Sequence, residues 1–312
     1  MLRRVAVDGP DRARVDGVEV ASPPGSAGEA PVLDALAGAL YHALYAGLPW
    51  PADPSPSLGR DLRPELAAAN AGRDGWEAGW TFVRTDLEGR AVAQRGMALR
   101  AWWPGHWVRA DGVPGPLVPG TPLRIFHPAA PGAPVQEGFW FAFGRGGPDG
   151  ERRRVRTYFN VSAAGAAELV RALTGRLHAL EVPFTLKVAD REALAARRDS
   201  AVLWSEARHF RVVAAIAREV AAGLREPLGD DVPPFSKPLA PGVGVAEDPR
   251  TGFSFGMERC GVVAEGLWLA AKEGAASEED RLAAVARAFA ARDFDPERPW
   301  LAARGNPDRY DA

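Results

Sequence analysis

Apolar residues recur at helical spacing in several parts of the chain. In residues 162–180, leucine occupies every third or fourth position from Leu169 onward, Ser162 can cap the first turn, and Pro183 follows the end. This pattern predicts an amphipathic helix with one buried stripe. The same spacing predicts further helices at 32–48, 62–72, 206–226, 257–272 and 277–291.

Short strand-like runs separated by glycine and proline occupy much of the chain between Trp76 and residue 161. They read GWTFVRTD, GMALRAWW, LRIFH, GFWFAFG and RRVRTYFNV, and a further run, FTLKVA, follows the predicted helix. Together they predict a mainly antiparallel sheet packed with helices, an α+β protein. We expect a small helical N-terminal part at 1–75, the α+β domain at 76–292 and an irregular C-terminal tail at 293–312.

Overall charge and cysteine content exclude several classes of protein. The 312 residues include 38 Lys and Arg and 40 Asp and Glu, for a net charge of −2, so nucleic acid is not expected as the main partner. Cys260 is the only cysteine, which excludes an intrachain disulfide and suits a reducing cytoplasm. The N-terminal stretch has no apolar signal region, so a soluble cytoplasmic protein with no membrane partner is expected.

Motifs for other chemistries do not occur. The sequence contains neither the GxxxxGK[ST] phosphate loop nor the GxSxG nucleophile motif. The five histidines lack the spacing of metal ligands. No metal and no cofactor are therefore expected.

The run RTYFNVS at 156–162 carries the first candidate site. Because alternate side chains of a strand point to opposite faces, Arg156, Tyr158 and Asn160 share one face. In FTLKVA the same alternation leaves Lys187 on the polar side. If the two strands are neighbours, Lys187 meets Tyr158 and Arg156 on one surface. That surface is either a solvated sheet face or an anion clamp that contains two titratable groups.

Lysine itself is scarce. Only three of the basic residues are lysine, namely Lys187, Lys237 and Lys272. A genome rich in G and C encodes arginine by default, so these lysines are either accidental or retained for a property that arginine lacks. Lysine can lose its proton when it is desolvated or placed beside other cations, and it can then act as a base.

Two later stretches hold further candidates. Arg197, Arg198 and Asp199 come directly before the apolar run AVLW. The segment 233–260 is rich in proline and glycine yet also in apolar residues, which is not typical of a flexible linker. We interpret it as a packed functional loop, with a purely structural excursion as the alternative. Its polar candidates are Lys237, Glu247, Ser254 and Arg259.

Five of these stretches together resemble the HopA-type effector family, over about residues 76–272. They are RTYFNVS, VPFTLKV, RRDSAVLW, PPFSKPLAPGVGVAEDP and SFGMERC. Bacterial homologues in that family occur as stand-alone lyases in the biosynthesis of class V lanthipeptides and thioamitides. The resemblance implies elimination of phosphate from phosphoserine or phosphothreonine, giving dehydroalanine or dehydrobutyrine. It implies no cofactor, and it implies two partners: a phosphorylated precursor peptide and an aminoglycoside-phosphotransferase-like kinase.

A further likeness, to the phosphothreonine lyases of pathogenic bacteria, implies roles for individual residues. Lys187 corresponds to their lysine base, and tyrosine stands at position 158 where those enzymes have histidine. The acid is then Tyr158, which could instead support the enolate-like carbonyl, or His209. The phosphate-binding residues implied are Arg156, Arg198 and Arg259, with Lys237 either joining them or tying down its segment. The supporting residues are Asn160, Asp199, Glu247 and Ser254.

Two other functions fit the same sequence. One is a non-catalytic module of the same fold that binds a phosphopeptide or the kinase. The other is an unrelated structural or immunity protein.

Overall fold

A computed structural model describes residues 4–9, 12–20, 29–53, 57–133, 135–144, 153–226, 228–249, 254–275 and 277–311. Within these ranges the chain forms three antiparallel sheets and six α-helices. The α+β class with a small helical N-terminal part is thereby confirmed.

The N-terminal part contains a small sheet followed by helices. Strands β1 (Val5–Gly9), β2 (Arg12–Val15) and β3 (Val18–Glu19) pair in sequence order. Helix α1 (Glu29–Leu40) continues into a π-helical turn (Tyr41–Tyr45), so the helix predicted at 32–48 ends earlier than expected. Helix α2 (Arg63–Ala69) carries a proline in its first turn, where the missing N–H is not needed for helical hydrogen bonds.

Residues 75–127 form a second sheet with its own core. Its strands are β4 (Gly75–Thr85), β5 (Ala91–Arg95), β6 (Ala98–Trp102), β7 (Trp107–Arg109) and β8 (Pro122–His127). They lie in the order β6–β5–β4–β8–β7. Trp80, Phe82, Leu123 and Ile125 are buried in its core. Strands β5 and β7 had no counterpart in the sequence prediction.

The central sheet has six antiparallel strands and positions the candidate residues. In chain order these are β9 (Phe139–Phe143), β10 (Arg154–Phe159), β11 (Phe184–Ala189), β12 (Ala201–Glu206), β13 (Lys237–Ala240) and β14 (Val243–Glu247). In space the order is β13–β14–β10–β12–β11–β9. Strands β10 and β11 are therefore separated by β12 rather than being direct neighbours.

Helices cover both faces of the central sheet. On one face lie α3 (Ala166–Ala179) and α4 (Phe210–Gly223), which pack against Phe159, Phe184 and Leu203. Leu169 and Leu173 of α3 are fully buried there, and each contributes about 2 kcal/mol through burial. On the other face, α1 and α5 (Phe255–Lys272) pack together with α6 (Glu278–Ala291) in one core that also includes sheet residues.

The segment 233–260 is more regular than the packed loop interpreted from the sequence. It contains β13 and β14, which extend the central sheet at one edge, and the first turns of α5. Gly244 of β14 suits this arrangement. A Cβ added there would lie 2.6 Å from the Ser236 hydroxyl, so a larger residue would clash with the segment that leads into β13.

The chain from residue 293 to 311 forms no helix or strand, yet it is well packed. Leu301 and Tyr310 are buried against the central sheet and the start of α4. Tyr310 meets the Phe210 ring edge to face, with centroids 4.8 Å apart. Within the part of the chain that the structure describes, no helix is both long and apolar enough to cross a membrane.

Candidate functional site

Lys187 and Tyr158 face the same side of the central sheet with one strand between them. The register pairs Lys187 with Val202, and Val202 with Tyr158. In the next row Arg156 pairs with Trp204. Because neighbouring strands lie about 4.8 Å apart, the backbones of Lys187 and Tyr158 are roughly 10 Å apart. Lys187, Tyr158 and Arg156 therefore share one face of the sheet, but β12 separates the two strands, and its residues Val202 and Trp204 lie between them.

The ammonium group of Lys187 lies among aromatic rings. Its Nζ is 3.9 Å from the centroid of the Phe139 ring and 5.8 Å from that of Trp204. Gln136 Oε1, 3.5 Å away, accepts its hydrogen bond. Among the described residues no carboxylate forms an ion pair with Lys187, and Asp199 is the carboxylate whose charge acts on it from further away.

Burial lowers the pKa of Lys187 from 10.5 to about 8. Asp199 opposes this shift, whereas Arg197 and Arg156 add to it. At pH 7 a lysine with this pKa is uncharged in about one molecule in ten, compared with fewer than one in a thousand for an ordinary lysine. A minority of molecules therefore carry a neutral amine at pH 7, and that fraction rises toward pH 8.

Arg197 lies beside Lys187 and is held by two partners. It donates hydrogen bonds to both carboxylate oxygens of Asp199, at 2.8 and 2.9 Å, and to Tyr41 Oη at 2.7 Å. Its guanidinium lies 5.9 Å from the centroid of the same Phe139 ring that Lys187 covers. No hydrogen bond from Arg197 Nη1 to a described residue is present, so its N–H groups can donate to a ligand.

Arg156 is the second arginine of this face. Its Nε and Nη2 donate to Asp248 Oδ1 at 3.0 and 2.5 Å. Its guanidinium stacks 5.4 Å from the Trp204 centroid, on the ring that Lys187 also approaches. Asp248 is buried and also forms an ion pair with Arg154, so one carboxylate orients two arginines on this face.

The Tyr158 hydroxyl is buried near this cluster. Tyr158 is 2% exposed, and its ring packs edge to face with Tyr45 and against Phe255. Burial raises the pKa of Tyr158 above 10.0, while the Arg156 guanidinium opposes the increase. Its Oη makes no hydrogen bond of normal geometry to a described residue, although Tyr45 and Arg156 lie close enough to influence its pKa. Tyr158 therefore stays protonated and retains a proton that it can donate.

Arg198 and Asn160 lie at the margin of this face. Arg198 donates to the carbonyl of Leu44 at 2.8 Å and to Asp231 Oδ2 at 3.1 Å. Asn160 Nδ2 donates to the backbone carbonyl of Asp231 at 3.0 Å. A Cβ added at Gly47 would lie 3.0 Å from the Arg198 guanidinium carbon, so the arginine is closely packed against the chain after the π-helical turn. Through these hydrogen bonds, Arg198 links the π-helical turn to the segment around Asp231, and Asn160 links the end of β10 to that same segment.

Arg259 lies inside the protein on α5, which packs on the Tyr158 side of the central sheet. Its side chain is fully buried, and it donates to the carbonyls of Pro299 and Leu301 at 2.9 and 2.8 Å. It also stacks 3.6 Å from the Phe294 centroid. Its hydrogen bonds anchor the C-terminal tail to α5.

Lys237 and Glu247 also bind the C-terminal tail. Lys237 forms ion pairs with Asp308, at 2.9 Å, and with Asp311. Glu247 is fully buried and accepts a hydrogen bond of 2.6 Å from Tyr310 Oη. Glu247 lies on the opposite face of the sheet from Lys187, because strand alternation places it with Val155 and Val245.

Ser254 and His209 occupy helix ends. Ser254 caps α5, where its hydroxyl accepts a hydrogen bond of 3.1 Å from the Met257 N–H. His209 is the last residue of the 3₁₀ turn between β12 and α4, seven residues beyond the partner of Lys187, and it contacts Arg208. Neither residue belongs to the cluster around Lys187.

Several residues of the cluster were not predicted. Gln136, Phe139 and Trp204 surround Lys187, and Tyr41 and Tyr45 reach the site from the π-helical turn. The i, i+4 spacing of the two tyrosines was a usable signal, since it places both rings on one side of a helix, where they stack at 5.2 Å. Trp204 could have been found from the alternation of β12. Phe139 required knowledge of which strand borders β11.

The central sheet that carries these residues lies within a region that matches a known protein family. The model of the HopA1 effector protein family matches residues 130–301, more than half of the chain, and covers the whole central sheet. The chain belongs to the HopA1 effector protein family. The sequence motifs place the resemblance at about residues 76–272, so the matched range begins and ends later than expected. It leaves out the second sheet at 75–127. No curated protein matches the chain significantly.

Two solved structures are similar to part of the chain. One is an effector protein from Pseudomonas syringae pv. tomato strain DC3000, 20% identical, with a TM-score of 0.43 over 52% of this chain and 62% of that one. The other is an effector protein from Pseudomonas syringae pv. syringae strain 61, 21% identical, with a TM-score of 0.42 over 53% and 63%. The chain thus spans less than two thirds of the length of either effector.

Proposed function

We propose that the protein is a phosphoserine or phosphothreonine lyase, which β-eliminates phosphate from a phosphorylated precursor peptide. The observation that carries the proposal is the environment of Lys187: an amine packed on the Phe139 ring, without a described ion-pair partner, and with a pKa lowered to about 8. A lysine of this kind is suited to remove a proton from carbon near neutral pH.

In the proposed reaction, neutral Lys187 Nζ takes the α-proton of the phosphorylated residue. The C–H electron pair forms the Cα=Cβ bond, and the Cβ–O bond breaks so that phosphate leaves with the Cβ–O bonding pair. The products are the dehydroamino acid, the departing phosphate and a protonated Lys187, which loses its proton to solvent before the next turnover. Tyr158, whose raised pKa keeps it protonated, is the proposed acid: it gives its hydroxyl proton to the leaving phosphate oxygen and regains a proton from solvent before the next turnover.

Arginines flank the amine and supply the positive charge that a departing phosphate requires. Arg156 and Arg197 both lower the pKa of Lys187, which places their charges close to the reacting centre. Arg197 Nη1 has no described partner and is the proposed phosphate contact in place of Arg198. Because the substrate must already be phosphorylated, a separate peptide kinase has to act first.

The direct test is incubation of the purified protein with a phosphoserine-containing peptide, with loss of phosphoric acid followed by mass spectrometry. We expect Lys187→Ala and Lys187→Arg to abolish phosphate loss, because neither supplies a neutral amine. Lys272→Ala is the matched control, since that lysine is exposed and paired with Glu29. If phosphopeptide binds but no phosphate is lost from any candidate substrate, the protein is instead a binding module.

A further inference from the structure

A second polar cleft lies at the far end of the central sheet. It has a volume of about 950 Å³ and opens between the start of α4 and the C-terminal tail. Four arginines line it: Arg153, Arg208, Arg211 and Arg309. The cleft is separate from the Lys187 face, because Val202, the partner of Lys187, is roughly 17 Å along β12 from Ala207 at the cleft.

Two of these arginines are already neutralised and two are not. Arg208 forms an ion pair of 2.7 Å with buried Glu206, and Arg153 reaches Glu247 at 3.3 Å. Arg211 and Arg309 are exposed, and no ion pair to a described residue is present for either. Their charges therefore remain available to a ligand.

The remaining walls favour a negatively charged occupant. The 3₁₀ turn Ala207–His209 runs directly into α4, and the Phe210 N–H donates to the Ala207 carbonyl, so the arginine side chains supply the positive charge of the cleft. Asp308 and Asp311 also line the cleft, but both are bound to Lys237. The exposed lining groups with no described charged partner are thus cationic.

We propose that this cleft binds an acidic peptide segment. Its volume is many times that of a single phosphate ion and suits several residues of extended chain. A nucleic acid fits less well, because the aromatic residues of the cleft, Phe210 and Tyr310, are buried against each other and offer no open ring for base stacking. The cleft includes residues after 301, outside the range that the family model matches.

The proposal does not depend on lyase activity, since binding is measured without turnover. Fluorescence anisotropy with labelled octaglutamate, and with labelled octalysine as the opposite charge, tests it on the full chain. We expect octaglutamate to bind, more weakly as salt rises, and octalysine not to bind. Arg211→Gln and Arg309→Gln should each weaken binding by about three- to fivefold, and the double variant by about tenfold.

Arg171→Gln is the matched control, because Arg171 is an exposed arginine of α3 outside the cleft, with no described ion-pair partner. Lys187→Ala should also leave octaglutamate binding unchanged. The proposal is overturned if the wild-type chain does not bind octaglutamate, if the double variant binds it as tightly as Arg171→Gln, or if Lys187→Ala removes binding. Tighter binding of a single-stranded oligonucleotide, lost in the same double variant, would overturn it in favour of a nucleic-acid site.

Discussion

Arg197 Nη2 donates a hydrogen bond of 2.7 Å to Tyr41 Oη, although the two residues are 156 positions apart in the chain. Tyr41 in turn donates to Asp199 Oδ2 at 3.2 Å, so the π-helical turn and the segment before β12 form one hydrogen-bonded unit. The N-terminal part of the chain therefore completes the polar cluster around Lys187 and is not merely attached to it.

This relationship separates the roles of two adjacent arginines. We expect Arg197→Lys to lower kcat/KM for phosphate elimination by about a hundredfold, since lysine cannot hold Asp199 and a phosphate oxygen at the same time. Arg198→Lys should change kcat/KM by less than about fivefold, because Arg198 contacts Leu44 and Asp231 instead. Steady-state kinetics on both variants checks this, and equal losses would contradict it.

The pH dependence of the rate follows from the pKa of Lys187. Because the base acts as the neutral amine, kcat/KM should rise about tenfold per pH unit below about pH 8 and level off above it. Profiles measured between pH 6 and 10 on the wild-type protein test this. If kcat/KM instead kept rising until about pH 10.5, the ordinary pKa of lysine, the amine would not be desolvated in solution.

Stability should move in the opposite sense to activity at Lys187. Its pKa is lower in the folded state than in the unfolded one, so the unfolded chain binds more protons between pH 8 and 10.5 and this group destabilises the fold at pH 7. A shift of this size corresponds to roughly 3 kcal/mol at most. Lys187→Met should raise the free energy of unfolding at pH 7 by about 1–3 kcal/mol.

That gain should shrink as pH approaches 10.5, where the wild-type amine is neutral in both states. Urea unfolding at pH 7 and pH 10 measures it. Lys272→Met, at an exposed ion pair, is the control and should change stability by less than about 1 kcal/mol. A destabilised Lys187→Met variant at pH 7 would contradict the prediction.

The C-terminal tail should contribute measurably to the stability of the central sheet. Tyr310→Phe removes the donor 2.6 Å from the fully buried Glu247 carboxylate, so we expect a loss of about 1–3 kcal/mol in unfolding free energy. Chemical denaturation measures it. In the Glu247→Gln background the same substitution should cost less, and an equal cost would show that the pair is not coupled.

Local pattern was enough to predict most elements in the family-matched region. The period of the leucines placed α3 within a few residues, and the alternation of β10 and β11 put Arg156, Tyr158 and Lys187 on one face of the sheet. That face is not polar throughout, because Tyr158 is buried there in the core formed with α1 and α5. Strands β13 and β14 were missed, because proline and glycine interrupt their apolar residues and make the segment read as a loop.

The interaction partners of charged residues were less predictable than the side of the strand on which each residue lies. Arg259, Lys237 and Glu247 appeared together in one segment and suggested one site. Arg259 instead points into the protein, and the other two bind the C-terminal tail. A charged side chain looks the same in sequence whether it meets a ligand or a buried partner, because its partner is usually distant in the chain.

The sequence by itself determined the α+β class, the positions of the longer helices, the face on which Lys187 lies and the scarcity of other lysines. Only the tertiary structure decided that β12 lies between β10 and β11, that Tyr41 orients Arg197, and that Phe139 and Trp204 desolvate the amine. The physical reason is the sequence separation of the contacts involved. Side-chain direction is set by the local backbone period, whereas strand order and the burial of an amine depend on contacts between segments far apart in the chain.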